Sequence, residues 1–406
     1  MITYIHHLET SVPETHYEQP FASELMQNNV SEREGVRRVL RSIYHHSGIR
    51  KRHSVIDDFG GSDAPPLFFN KDGSKVPPPD TRRRNEIYTR EARRLFTDLA
   101  GKLIQNAPGF EKEDITHVIT ISCTGFFAPG PDYFVVRDLG LPGSTQRYHI
   151  GFMGCYAAFQ GLKMADSFCR SNPDAVVLVL CVELCTLHLQ FTDDTDAMIS
   201  ASVFADGGSG ALVSARTPSF YPTGPEASST RSPLPLEILS FHNDLTPEGE
   251  NDMAWTIGNQ GFEMKLSTYV PDIIRSNMPP ILDAILKNAG LHQNDITHWA
   301  VHPGGRAILD KVQEALALRD EQISASRTVL REYGNMSSAT ILFVLKEMVE
   351  THAGSSQGRV VQLTAKQPPS GLNMAEENPA GQNIFAMAFG PGLTIESGLF
   401  RFTDPM

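Results

Sequence analysis

Tyr148-His-Ile-Gly-Phe-Met-Gly-Cys155-Tyr-Ala-Ala-Phe-Gln-Gly-Leu-Lys163 is the stretch on which the fold of this chain turns. A β-type run ends at Gly154, one cysteine follows, and the small residues Ala157, Ala158 and Gly161 open an amphipathic helical pattern. A cysteine at a helix start meets unpaired backbone N–H groups and the positive end of the helix dipole, which favours thiolate over thiol. A buried apolar cysteine is the commoner fate of this residue type, and it accounts for Cys169 and Cys181. It does not account for a cysteine in a glycine-flanked strand-to-helix turn. Cys155 is therefore a nucleophile candidate.

On either side of this turn the chain alternates between two periodicities. A helical pattern over residues 88–107 leads to the strand pattern Thr116-His-Val-Ile-Thr-Ile-Ser122, and the Cys155 helix leads to a fully apolar run, Ala175-Val-Val-Leu-Val-Leu-Cys181. Further on, a helical pattern over 270–289 leads to Thr297-His-Trp-Ala-Val301, and the turn His302-Pro-Gly-Gly305 opens another helix. Tyr333-Gly-Asn-Met-Ser-Ser338 then opens an apolar helix over 339–350. Strands alternating with helices indicate α/β layering. Three loop-like stretches, at 57–80, 217–235 and 353–382, punctuate the chain. The middle one divides it into two coarsely similar halves, 1–235 and 236–406, which suggests duplication.

Composition bounds the function. The 406 residues are 40% hydrophobic and 20% charged, ordinary values for a globular chain able to bury a large core. A formal net charge of −12 argues against a general nucleic-acid surface. Local basic clusters remain at Arg37, Arg38, Arg41, Arg50, Lys51 and Arg52, and at Arg82-Arg83-Arg84, where a small anionic ligand is conceivable. No run approaches the length of a membrane span. The N-terminal stretch reads as a first strand and not as a signal peptide, and five irregularly spaced cysteines make a disulfide framework unexpected. A reducing cytoplasm is the expectation.

Each strongly marked turn delivers one reactive side chain: Cys155 from the first half, His302 and Asn335 from the second. A histidine beside a cysteine can hold the thiolate as an ion pair, and an asparagine amide can donate to a developing oxyanion. Among fourteen histidines, His302 stands out because Pro303-Gly304-Gly305 follows it in a loop built for close backbone approach. Asn335 has helix capping as its ordinary explanation. The order Cys…His…Asn also belongs to papain-like proteases, whose cysteine and histidine lie roughly 130–150 residues apart, as they do here. Against that reading stand the position of Cys155 deep in the chain and a local sequence, Phe152-Met-Gly-Cys155-Tyr, without the protease's preceding Cys-Gly segment.

The matching blocks Cys123-Thr-Gly-Phe-Phe-Ala-Pro-Gly-Pro-Asp-Tyr133, Gly151-Phe-Met-Gly-Cys155, Phe204-Ala-Asp-Gly207 and His302-Pro-Gly-Gly305 with Ala307-Ile-Leu-Asp310 occur in this order. Glu332-Tyr-Gly-Asn-Met-Ser-Ser-Ala339 and Phe389-Gly-Pro-Gly-Leu-Thr-Ile-Glu396 complete them. On these the chain resembles type III polyketide synthases, the chalcone synthase-like group of the thiolase superfamily, and in its Gly-Phe-Met-Gly-Cys turn the microbial members.

The resemblance implies a thiolase-like five-layered αβαβα fold of two similar halves, working as a homodimer. It implies that Cys155 takes the acyl group from a starter acyl-CoA delivered through a pantetheine tunnel. His302 and Asn335 would stabilise the enolate formed as malonyl-CoA loses carbon dioxide, and that enolate would lengthen the chain on Cys155 over repeated rounds before cyclisation. No metal and no separate cofactor is implied; acyl-CoA and malonyl-CoA are substrates. Phe204 matches the aromatic gatekeeper, and Cys123, Cys185, His188, Trp255, Met264 and Ser337 fall at cavity-lining positions. Trp255 stands where plant members have glycine, and Ala128 replaces a methionine that they extend into the partner subunit's cavity. The plant-type coenzyme A positions fall on Val39, Ser42 and His46, so Arg38 and Arg41, with Ala307, are the candidate coenzyme A contacts. The insertions at 60–79 and 354–382 have no counterpart in the family pattern. A bulky Trp255 disfavours a chalcone-type product and points to a pyrone or resorcinol from an aliphatic starter. The rivals are a single-round ketoacyl synthase III-like enzyme and a catalytically idle homologue.

Overall fold

The computed structural model describes residues 1–60, 65–218, 234–246, 248–250, 252–355 and 381–403. The expected boundary at 235/236 borders residues 219–233, and the later insertion falls mainly on 356–380; both stretches lie outside the described residues. The strands β1 (Thr3–Ser11), β2 (His16–Glu18) and β3 (Lys51–His53) open the chain. β4 (His117–Ser122), β5 (Gln146–Gly151), β6 (Val176–Leu184) and β7 (Asp206–Ser214) follow. β8 (Leu236–Leu245), β9 (Met253–Gly258), β10 (Gly261–Leu266), β11 (Ile296–Val301), β12 (Asn383–Gly390) and β13 (Thr394–Phe402) complete the set.

Nine of these form one sheet in the order β11-β12-β13-β8-β1-β7-β6-β4-β5. Outward from the β8–β1 contact, the succession β13, β12, β11 on one side matches β7, β6, β4 on the other. Both run antiparallel, antiparallel, parallel. β5 adds one more parallel strand on the second side.

The sheet wraps a central helical layer. Along β6, Val176, Leu178, Leu180 and Val182 pack with the outer helix Thr81–Asn106, while Val177, Val179 and Cys181 belong to the central core. That core holds the helices Ala157–Ser171 and Thr340–Ser355. β12 repeats the alternation: Ile384, Ala386 and Ala388 join the central core, and Phe385, Met387 and Phe389 turn toward the helices Val270–Ala289 and Arg306–Ala315. Helix, sheet, helix, sheet, helix is the five-layered arrangement. A strand covered on both faces must be apolar at every position, which is why β6 reads as a continuous run. Full burial of each such side chain stabilises by about 1.5–3 kcal/mol. Close layering also explains Gly161, where a Cβ would lie 2.6 Å from Ile121 and 2.7 Å from Val179.

The site follows from the topology. β4, β5 and β6 run parallel, as do β11 and β12. Their carboxyl ends deliver Cys123, Cys155, Cys185, His302 and Pro391. Crevices at the carboxyl ends of parallel strands are where α/β folds bind ligands.

Candidate active site

The nucleophile turn is held by steric contact from the other half. After β5, Phe152 and Gly154 take left-handed conformations with φ of 58° and 82°. A Cβ at Gly154 would sit 2.2 Å from Pro391 Cδ, and one at Gly390 would sit 2.3 Å from the Tyr156 ring. The Phe-Gly-Pro-Gly block therefore packs directly on the turn that carries Cys155. The Gly154 N–H donates to Cys123 Sγ at 3.0 Å, and the Cys155 thiol donates to Ser337 Oγ at 3.6 Å.

Cys155 is only 8% exposed, and burial pushes its thiol up to about 12. This burial works against the thiolate that the helix-start position favours. The helix begins at Ala157, and desolvation of the charged sulfur is the largest cause of the shift, opposed by hydrogen bonds with Ser337 and Asn335. Burial likewise pushes His302 down to about 3 and so opposes the charged form of the imidazole.

His302 follows β11, and its own N–H donates to the Met387 carbonyl of β12 at 2.8 Å. It is 1% exposed, and neither ring nitrogen finds a hydrogen-bond partner among the described residues. Buried polar atoms are nearly always paired, so an imidazole with both nitrogens free marks a place where something else binds. Asn335 lies in the loop after the helix Ser324–Tyr333 and pairs through its backbone with Val203 and Ala205, on either side of Phe204. Its Oδ1 accepts from the Ser337 N–H at 2.9 Å, which fixes the amide orientation. One Nδ2 hydrogen goes to the Gly304 carbonyl at 3.2 Å, leaving the other to donate.

Cys155, His302 and Asn335 line one cavity of about 580 Å³ together with Cys123, Phe204, Trp255, Met264 and Ser337. Trp255 and Met264 stand opposite each other across the β9–β10 hairpin. The indole Nε1–H donates to the Cys123 carbonyl at 3.1 Å, so Trp255 is a wall of the cavity. Cys185 and His188 lie elsewhere, on a second cavity that shares Phe204, Trp255 and Met264 with the first. His188 is spent as a polar group: one ring nitrogen pairs with the Thr124 carbonyl at 2.8 Å and the other accepts from the Phe262 N–H at 2.9 Å. Arg38, Arg41 and Ala307 are exposed and line neither cavity, and Arg41 Nε donates to Gln27 Oε1 at 3.1 Å.

The hairpin residues Met253 and Leu266, with Ile308 and Pro391, also line the catalytic cavity and carried no chemical signal in the sequence. Glu183 did carry one, as a lone acid inside an apolar strand. Its carboxylate is fully buried and accepts from the Cys123 N–H at 2.9 Å, from Thr124 Oγ1 at 2.9 Å and from Ser338 Oγ. Burial raises it to about 7, against the pull of these donors. It ties the loop after β4 to the loop that carries Asn335.

Comparison with known proteins agrees with this geometry. The family profile described as "Chalcone and stilbene synthases, N-terminal domain" matches residues 3–217, and "Chalcone and stilbene synthases, C-terminal domain" matches 237–403. The Mycobacterium tuberculosis protein described as "Alpha-pyrone synthesis polyketide synthase-like Pks18" is 29% identical over 366 residues, 90% of this chain and 83% of that one. The crystal structure of PKS-I from the brown alga Ectocarpus siliculosus superposes with a TM-score of 0.84 at 30% identity, covering 99% and 98% of the two chains. The C-terminal type III polyketide synthase domain of Steely1 from Dictyostelium shares the fold, with a TM-score of 0.78 at 24% identity over the whole of both chains. This chain belongs to the chalcone and stilbene synthase family and is a type III polyketide synthase, an acyltransferase of thiolase-like fold.

Proposed function

We propose that the enzyme condenses malonyl-CoA iteratively, with loss of carbon dioxide, onto an acyl-CoA starter held on Cys155, and cyclises the product to a pyrone or resorcinol. The observation that carries this reading is His302, buried with both ring nitrogens unpaired among the described residues, on the same cavity as Cys155 and Asn335. As the starter thioester binds, the Cys155 proton passes to the neutral imidazole. The sulfur attacks the carbonyl, and coenzyme A leaves with that proton. Malonyl-CoA then breaks its bond to the carboxylate. The electron pair moves onto the thioester oxygen, where the Asn335 amide and an imidazole N–H donate to it. The enolate carbon attacks the Cys155 thioester and expels the cysteine sulfur.

An aliphatic starter fits the walls. The Trp255 and His188 polar atoms are already spent on backbone groups, so neither offers a partner to a phenol. The name of the mycobacterial relative points to the same product class. Arg38 and Arg41 are the proposed coenzyme A phosphate contacts. Their helix, Glu34–His46, ends near Gly48, where a Cβ would lie 3.4 Å from Arg306 Cβ, beside Ala307. The enzyme needs no separate cofactor in this reading and acts as a homodimer in a cytoplasm, with 1–235 and 236–406 as its two halves.

The test is product formation from short, aromatic and long acyl-CoA starters with labelled malonyl-CoA. Labelled pyrones or resorcinols from aliphatic starters are the expected result. No labelled product from any starter, or one product length dependent on acyl carrier protein, would overturn the reading.

A further inference from the structure

Four non-glycine residues among the described ones hold a left-handed φ: Phe152, Ala317, Ser337 and Leu393. A Cβ strains that conformation, which persists only where the surroundings fix it. Phe152 and Ser337 line the catalytic cavity, and Leu393 follows Pro391, which lines it too. Ser337, with φ of 47°, is the one of the four with a hydroxyl, and that hydroxyl reaches the sulfur of Cys155.

The surroundings of Ser337 fix it on several sides. Its N–H donates to Asn335 Oδ1 at 2.9 Å, and its carbonyl accepts from Thr340 Oγ1 at 3.0 Å. The next residue, Ser338, donates to the buried Glu183 carboxylate. Ser337 itself is buried, and the Cys155 thiol donates to its Oγ at 3.6 Å. One residue thus meets both halves of the chemistry: its side chain faces the nucleophile while its N–H orients the Asn335 amide.

The contact with sulfur can run in two senses. A hydroxyl has an O–H donor as well as lone pairs, and its hydrogen rotates to suit the partner. Against a thiol it accepts. Against a thiolate it donates, and a hydrogen bond to a charged atom is roughly twice as strong as one between neutral groups. The contact therefore stabilises the ionised sulfur more than the neutral one. The titratable groups that face the sulfur are His302, Glu183, Cys123 and Cys185. A negative charge on Glu183 or on either cysteine opposes a thiolate, and His302 is the group that takes its proton. The neutral donors to the sulfur are the Ser337 hydroxyl and the Asn335 amide. The amide hydrogen is required at the substrate oxygen, which leaves the hydroxyl for the sulfur.

We infer that Ser337 is a positioning residue for the nucleophile. Its hydroxyl accepts from the Cys155 thiol at rest and turns to donate to the sulfur anion as the proton passes to His302, so it stabilises the anion that attacks the starter thioester. The inference rests on the reading of Cys155 as nucleophile and adds to it the group that eases its ionisation.

The test uses the full-length enzyme with Ser337→Ala and Ser337→Gly. Both remove the hydroxyl and keep the backbone N–H that orients Asn335. Glycine also removes the strained Cβ, so Ser337→Gly unfolds at no lower temperature than Ser337→Ala, and it carries the test alone should the alanine variant lose its fold. Iodoacetamide alkylation of Cys155, followed by intact mass across pH, reads the ionisation. In both variants the rate at neutral pH falls by about tenfold or more, the scale of one hydrogen bond to a charged atom. The profile moves up by about one pH unit, so alkaline pH restores the rate. Acylation of Cys155 by octanoyl-CoA falls by a larger factor than decarboxylation of malonyl-CoA, which does not use the sulfur. A loss in Ser337→Ala that Ser337→Gly recovers would assign the effect to backbone strain and overturn the inference. A loss equal at every pH would overturn it as well. Where wild-type Cys155 takes neither iodoacetamide nor an acyl group, the nucleophile reading itself fails. Normal labelling of the wild type with the same profile in both variants sinks this inference alone.

Discussion

At the scale of single residues, burial opposes charge on both Cys155 and His302. A thiol pushed up to about 12 and an imidazole pushed down to about 3 exchange a proton only when a bound thioester gives the sulfur somewhere to react. This has a measurable signature. Iodoacetamide alkylation of Cys155 in the resting enzyme rises about tenfold per pH unit through neutrality, because the thiolate fraction does so below the pKa. A pH-independent rate would mean a standing thiolate–imidazolium pair. Substitution separates the two half-reactions. Cys155→Ala abolishes chain extension yet leaves decarboxylation of malonyl-CoA, since His302 and Asn335 remain. Asn335→Ala lowers decarboxylation itself, by roughly 10²-fold or more, the usual value of one oxyanion donor. Full product formation by Cys155→Ala would remove it as the nucleophile.

At the scale of elements, the strand ends decide where the chemistry sits, and Glu183 shows what holds those ends in register. An unfolded glutamate gives up its proton near 4.5, whereas folded Glu183 keeps its proton to about 7. Between these values the folded state binds the extra proton, so this group's contribution to stability falls as pH rises through the window. Denaturant midpoints across that window should therefore fall less with pH in Glu183→Gln than in the wild type. Equal slopes would show that the carboxyl is ionised throughout. The element scale is also where the sequence was most legible. β6 betrays itself as an unbroken apolar run because both its faces are covered, and the Cys155 turn because its glycines admit no Cβ. The charge state of Cys155 was not legible, since helix position gives the sign of the dipole effect but not the depth of burial that opposes it. Cys185 and His188 were read into the catalytic cavity because the family resemblance places them at cavity-lining positions. Only the β9–β10 hairpin, through Trp255 and Met264, decides that they face the neighbouring one. That hairpin packs by contacts distant in sequence, which no local pattern reports.

At the scale of the whole molecule, the near-symmetric strand order places two sets of strand ends around one crevice, and several aromatic side chains stay exposed. Phe126 and Tyr133 are 40% and 37% exposed. Phe126 lies 5.6 Å from the ring of Phe152, a half-buried residue that lines the catalytic cavity. In the proposed homodimer this face meets its own copy, so a charge there breaks the pair and loosens a wall of the site in one step. Phe126→Asp should therefore sediment as one chain where the wild type sediments as two. Its condensation rate should fall while its thermal midpoint, measured under the same conditions, stays within a few degrees, because Phe126 belongs to none of the hydrophobic cores. Two-chain sedimentation by Phe126→Asp combined with Tyr133→Asp would move the dimer contact to another face. A wild-type enzyme that sediments as one chain while fully active would remove the partner from the mechanism.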